Sequence, residues 1–181
     1  DGPDPRFTPQ VLDILAAKQA PAAFFVIGWN ADLARDLLDR MVRDGHEIGN
    51  HTFTHPNVGA VSERQLELEL NATQRLLESQ LGLGSLLFRP PYATDIEPEA
   101  PDQVGPLLTA SRLGYLTIGM QIDPSDWKNP GADTIVERVL DGAEHAEGNV
   151  VLLHDSGGDR SQTVAALPVL IEKLKAEGFT F

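Results

Sequence analysis

Two histidines four residues apart, His51 and His55, are the first residues that could do chemistry. Imidazole is a preferred ligand of zinc and its neighbours, and two rings within one turn of chain can share an ion. The pair alone is a weak signal, because two hydrogen-bonded or surface histidines look the same. Its context strengthens it: Glu47-Ile48-Gly49 reads as the end of a strand, so both rings emerge at one face. A metal site with an open position needs a third protein ligand. Asp1 is a candidate, although Asp1-Gly2 also reads as an ordinary turn.

Three further constellations follow short apolar runs. Arg89-Pro90-Pro91-Tyr92 is stiffened by two prolines, so it presents Arg89 and the Tyr92 amide in fixed directions. Arg89 could hold a catalytic carboxylate, and the amide could stabilise an oxyanion. A rigid turn carrying a surface arginine is the plainer reading. Asp126-Trp127 places a carboxylate beside an aromatic ring in a polar loop, as a site wall or as a capped turn. His154 closes Leu152-Leu153-His154 and is placed to act as a general acid, or to bond within the core. His46 and His145 are read as structural, the second because a helix end favours a cation.

The elements that must carry these residues alternate. Apolar runs at Ala22 to Ile27, Leu86 to Phe88, Tyr115 to Ile122 and Val150 to Leu153 read as buried strands. Helices lie between them. Thr8 is predicted to cap the first, with Pro9 in its opening turn. One helix is predicted over Ala31 to Asp44. Ser62 with Gln65 has the pattern of a capping box, and Gly82 ends that helix. Asp133 is predicted to cap a helix reaching His145, and a last helix ends at Gly178. This alternation predicts a parallel sheet covered by helices. Because the reactive residues follow several different strands, a (β/α) barrel is favoured over an open sheet. The segment Ala93 to Pro106, rich in proline and acid, reads as a surface insertion.

Composition narrows the function. Fourteen basic and 27 acidic residues among 181 leave a net charge of −13. Nucleic acid and anionic membrane both need clustered lysine and arginine, so neither is an expected partner. A neutral or cationic substrate fits better than an acidic polymer. The chain has no cysteine, which excludes disulfides, thiolate metal sites and cysteine nucleophiles. No apolar run reaches about 18 residues.

In this order the motifs resemble the polysaccharide deacetylase family, also called the NodB-homology domain or carbohydrate esterase family 4. Its hallmark blocks are T-F-D-D-G-P, H-[ST]-x-x-H, R-P-P-[YF], an Asp-Trp pair and L-x-H. Four of the five are complete here, and the resemblance runs from Asp1 to the last helix. It implies a distorted (β/α) barrel, TIM-like and of NodB-homology type. The implied activity is removal of N-acetyl groups from N-acetylglucosamine units of an oligo- or polysaccharide, releasing acetate. One divalent metal is implied at Asp1, His51 and His55, zinc by default, with cobalt, nickel or manganese as alternatives. Arg89 would orient the base and the Tyr92 amide would serve the oxyanion. Asp126 would orient His154, the general acid, and Trp127 and Leu152 would line the pocket for the acetyl methyl group.

The chain departs from the family at its start, where it opens on the second Asp of D-D-G-P. The base would then be the residue preceding Asp1, and the chain would be a fragment of a longer protein, lacking its first strand. In an alternative assignment Asp1 is the base and Asp4 the ligand. Two other functions fit parts of the pattern: a metal amidohydrolase acting on a small or non-sugar amide, and a non-catalytic carbohydrate-binding domain. The insertion resembles one in deacetylase domains fused to membrane glycosyltransferases, and the expected location is extracytoplasmic, secreted or attached to a membrane protein.

Overall fold

The computed structural model describes residues 1–92, 98, 100–145 and 148–181. Four parallel strands lie in the order β1 (Ala23–Val26), β2 (Glu47–Asn50), β3 (Leu87–Phe88) and β4 (Leu116–Thr117). Ile122 adds a parallel bridge to Val151. Seven helices accompany them among the described residues: α1 (Thr8–Lys18), α2 (Gly28–Leu33), α3 (Arg35–Arg43), α4 (Glu63–Leu81), α5 (Pro101–Arg112), α6 (Ala132–His145) and α7 (Ser161–Ala176). This is the distorted (β/α) barrel that the resemblance implies, with the parallel strands that the alternation predicts and every strand's C-terminal end at one face.

Side-chain alternation sets the layers. Phe24 and Val26 pack outward onto Leu12, Leu38, Met41 and Leu77 of the helices. Phe25 points the other way, over its partner Gly49, where an added Cβ would lie 2.2 Å from the Phe25 ring. Glycine at 49 is therefore a packing requirement. Two further clusters complete the core, one around Ile135, Val139 and Leu170 and one around Leu66, Leu70 and Phe88.

Several boundaries differ from those read in the sequence. Thr8 does not cap α1; it is the first helical residue, and its hydroxyl accepts from the Asp4 amide and donates to Asp155. The helix expected over Ala31 to Asp44 is two helices, α2 and α3, broken at Ala34 (φ −133°, ψ 53°). No glycine or proline marks that break, so periodicity runs straight through it. Asp133 lies within the first turn of α6, one residue past its start. The run Tyr115 to Ile122 is only briefly a strand: the next ladder donor to the Ile118 carbonyl would be Pro90, which has no N–H, and the Arg89 guanidinium donates to that carbonyl at 3.3 Å and to the Met120 sulfur at 3.0 Å instead. Val150 to Leu153 contributes the Val151 bridge alone. Of the expected insertion, residues 93–97 and 99 lie outside the described residues. From Pro101 onward the chain is helix α5, with Pro106 buried inside it. α4 fits its reading closely: Ser62 Oγ accepts from the Gln65 amide, and Gly82 closes the helix at φ 69°.

Candidate active site

The loop leaving β2 carries the histidine pair, and its shape is held by side chains rather than by secondary structure. Thr52 and His55 both adopt left-handed backbone, φ 67° and 60°. For a β-branched residue this is unusual and costly, of order 1–3 kcal/mol, and such strain gathers at functional sites. Local bonds offset it. Asn50, fully buried, accepts from the Thr52 amide at 2.9 Å and donates to the Leu70 carbonyl and the Tyr115 hydroxyl. The Thr52 hydroxyl accepts from the His55 amide at 3.1 Å. From α4, the Glu69 carboxylate accepts from the Phe53 and Thr54 amides and the Thr54 hydroxyl at 2.7–2.8 Å.

His51 is buried, and its Nδ1 lies 2.6 Å from the Arg89 carbonyl oxygen. A carbonyl can only accept, so Nδ1 carries the proton and Nε2 bears a lone pair. Burial holds the His51 pKa well below the ordinary histidine range, and that of His55 below it too. The bare His51 Nε2 nevertheless faces the Asp1 carboxylate at 3.2 Å, and His55 Nε2 lies 3.4 Å from the same oxygen. A bare imidazole nitrogen facing a carboxylate with no proton between them is the arrangement that a cation resolves. One donor atom from each of Asp1, His51 and His55 lies within 4.8 Å of the others. A backbone carbonyl fixing the far nitrogen of a ligating imidazole is the usual outer support of such a site. The donor set therefore fits a divalent metal.

Asp1 is placed by the edge of β1: the Ile27 amide donates to the Gly2 carbonyl, and Asn30 Nδ2 donates to the Asp1 carbonyl at 2.8 Å. The Asp4 alternative fails on geometry. Both Asp4 oxygens accept from the Arg6 guanidinium, at 3.1 and 2.7 Å, and the Arg6 bonds hold its pKa below the usual carboxylate range.

Across the cavity stands a second acid–imidazole pair. Asp126 sits at the start of a single 3₁₀ turn (Asp126–Lys128) and is fully buried. Its Oδ1 accepts from His154 Nδ1 at 2.7 Å. Its Oδ2 accepts from the His154 amide and the Thr163 hydroxyl at 2.8 and 2.7 Å. Burial pushes the Asp126 pKa up, but the bonds and charge of His154, with Thr163, outweigh it and leave it below the ordinary value. The carboxylate thus fixes the proton on Nδ1 and leaves Nε2 for the site.

A cavity of about 360 Å³ brings Asp1, His51, Arg89, Leu152 and His154 together. His55, Asp126, Tyr92 and Trp127 do not line it; Tyr92 and Trp127 are 68% and 48% exposed. The Tyr92 backbone is left-handed (φ 60°), and its ring lies 4.9 Å from that of His55. His46 packs edge-on against Phe24, away from the site, and His145 bonds the Asp141 carbonyl at the end of α6. Sequence reasoning missed Asn50, Glu69, Thr163 and the Arg89 carbonyl. Each acts through a partner at least 15 residues away, apart from the Asn50 bond to Thr52. Only that Asn, two positions from a strained Thr, had a local signal.

A barrel face carrying two histidines and one carboxylate opposite an Asp–His pair defines a class of hydrolytic centre. The comparisons make the class specific. Residues 1–115 match the family model described as polysaccharide deacetylase, and the chain belongs to that family. A peptidoglycan-N-acetylglucosamine deacetylase of Bacillus cereus is 41% identical over 100% of this chain and 81% of its own length. A chitooligosaccharide deacetylase of Sinorhizobium fredii is 40% identical over 99% of this chain and 84% of its own. The crystal structure of a peptidoglycan N-acetylglucosamine deacetylase superposes with a TM-score of 0.89 at 34% identity, covering 100% of this chain and 81% of that one.

Proposed function

We propose that the chain hydrolyses the N-acetyl group from N-acetylglucosamine units of an oligo- or polysaccharide, releasing acetate and a free amine. Family membership and the named activities of the relatives support the reaction class. The single observation that carries the reading in this chain is the bare His51 Nε2 aimed at Asp1, in one cavity with His154, whose Nδ1 the buried Asp126 holds from behind.

Asp1, His51 and His55 would hold the metal. A divalent ion there supplies Lewis acidity toward a carbonyl and lowers the pKa of a bound water. Zinc is the ion we propose, cobalt, nickel and manganese suiting the same donors. His154 Nε2 holds the proton that passes to the departing amine, and Asp126 stabilises the imidazolium. The Tyr92 amide stabilises the developing oxyanion. Leu152 lines the pocket for the acetyl methyl group. Arg89 positions the catalytic base; its support is that Arg89 and Asp1 share the cavity. Extracytoplasmic location and attachment to a membrane glycosyltransferase belong to the same proposal, and fractionation of the full-length protein tests both.

Acetate release from chito-oligosaccharides by the metal-loaded full-length protein tests the reaction. We expect release from the protein as isolated, and a loss of about 10²–10⁴-fold in rate for His154→Ala with the metal retained. Release from small non-sugar amides but from no oligosaccharide would overturn the substrate class. Loss of metal in His154→Ala would overturn the role of that histidine.

A further inference from the structure

Trp29 is 58% exposed and belongs to no core cluster among the described residues. A free indole on a mobile surface would need no explanation, but this one is fixed on three sides. The Gly28 amide donates to the Thr52 carbonyl and the Trp29 amide to the Phe53 carbonyl, both at 2.9 Å. Its other neighbour, Asn30, donates to Asp1. Residues 28–30 are therefore pinned to all the segments that carry the candidate metal ligands.

The ring itself is braced. Phe53, between the two histidines, meets the indole edge to face, with centroids 6.5 Å apart and planes at 88°. Phe53 in turn packs directly on Gly28, where an added Cβ would lie 2.3 Å from its ring. Trp29 stands in the first turn of α2, and side chains on a helix lean toward its N-terminus. That end of α2 lies at the C-terminal end of β1, the face that holds Asp1 and His51. One turn further on, Leu33 is 72% exposed on the same side. Trp29, Phe53 and Leu33 thus form an apolar plate on the barrel face that carries the site.

The flat face of a pyranose presents C–H bonds with a partial positive charge, and an indole face is negative. We propose that Trp29, braced by Phe53, stacks on a sugar ring adjacent to the one being deacetylated, so that the site takes oligomers in preference to the single sugar. The inference rests on the deacetylase reading. Trp29 is here a specificity-determining residue; the reacting acetamide stays with the residues named above.

Steady-state kinetics on chito-oligosaccharides of increasing length, with metal content measured for each protein, tests this. In the wild type KM should fall with length. Trp29→Ala should raise KM for the longer oligomers about tenfold, while kcat, metal content and kinetics on the shortest substrate stay as they were. Trp29→Phe should restore most of the difference. KM values equal for Trp29→Ala and wild type at every length would overturn the proposal and leave the deacetylase reading standing. Absence of acetate release from every oligomer would instead sink the reading of the reaction. Binding then still tests the plate: the chain has two tryptophans, so Trp127→Phe makes Trp29 the sole indole reporter. Quenching or shift of its fluorescence by chito-oligosaccharides supports stacking, and an unchanged spectrum at saturating sugar overturns it.

Discussion

At the scale of the residue, the site works through protons assigned by geometry. Asp126 keeps Nδ1 of His154 protonated, so only Nε2 is left for the reaction. Replacing Asp126 by Asn keeps the shape but offers an amide that can donate to Nδ1, which favours the wrong tautomer. We expect Asp126→Asn to lower kcat by about 10²–10⁴-fold with metal content unchanged, measured by acetate release and metal analysis on the same sample. His46 illustrates the opposite use of a histidine. Its Nδ1 accepts from the Ala22 amide at 3.2 Å, and burial lowers its pKa. Between that lowered value and the ordinary one near 6.5, the unfolded chain binds more protons than the native one. Stability therefore rises with pH through this window, and is lost as pH falls below about 6.5. His46→Asn retains an acceptor for Ala22 and removes the titration. Denaturant unfolding from pH 5 to 7 should show a shallower pH slope for the variant, and equal slopes would contradict the assignment.

Elements position these residues through a few side-chain clamps. Glu69 holds the β2–α4 loop from within α4, taking three donors from Phe53 and Thr54. Glu69→Ala should weaken metal affinity about tenfold by releasing that loop, read by competition with a chelator. The ends of α4 are a control at the same scale. Ala at Gly82 meets open space but must adopt φ 69°, a cost of about 1–2 kcal/mol; Ser62→Ala loses a cap worth about 1 kcal/mol. Both should lower Tm while metal binding stays intact. The contrast shows what a sequence can say about elements. Ser62 and Gly82 act on their own neighbours, so α4 was legible to within a residue. The break at Ala34 and the early end of β4 were not. One is marked by no helix breaker, and the other falls where the partner strand reaches Pro90, nearly thirty residues away in the chain.

For the molecule as a whole, the alternation of apolar runs and amphipathic stretches sufficed to foresee parallel strands with the reactive residues at one face. The candidate ligands were legible because histidines at close spacing are rare enough to notice. Their supports were not, because Asn50, Glu69 and Thr163 are ordinary residue types that matter only once folding brings their partners near. The same limit applies to Asp4, the alternative to Asp1, whose carboxylate the Arg6 guanidinium occupies. The central claim is that Asp1, His51 and His55 hold a metal that the deacetylation requires. Its most direct test is acetate release from N-acetylglucosamine oligomers by the full-length protein as isolated, after chelation, and after stepwise return of zinc. The account predicts that chelation abolishes release, that about one equivalent restores it, and that His51→Ala is not restored. Release unaffected by complete removal of the metal, or restored equally in His51→Ala, would contradict it.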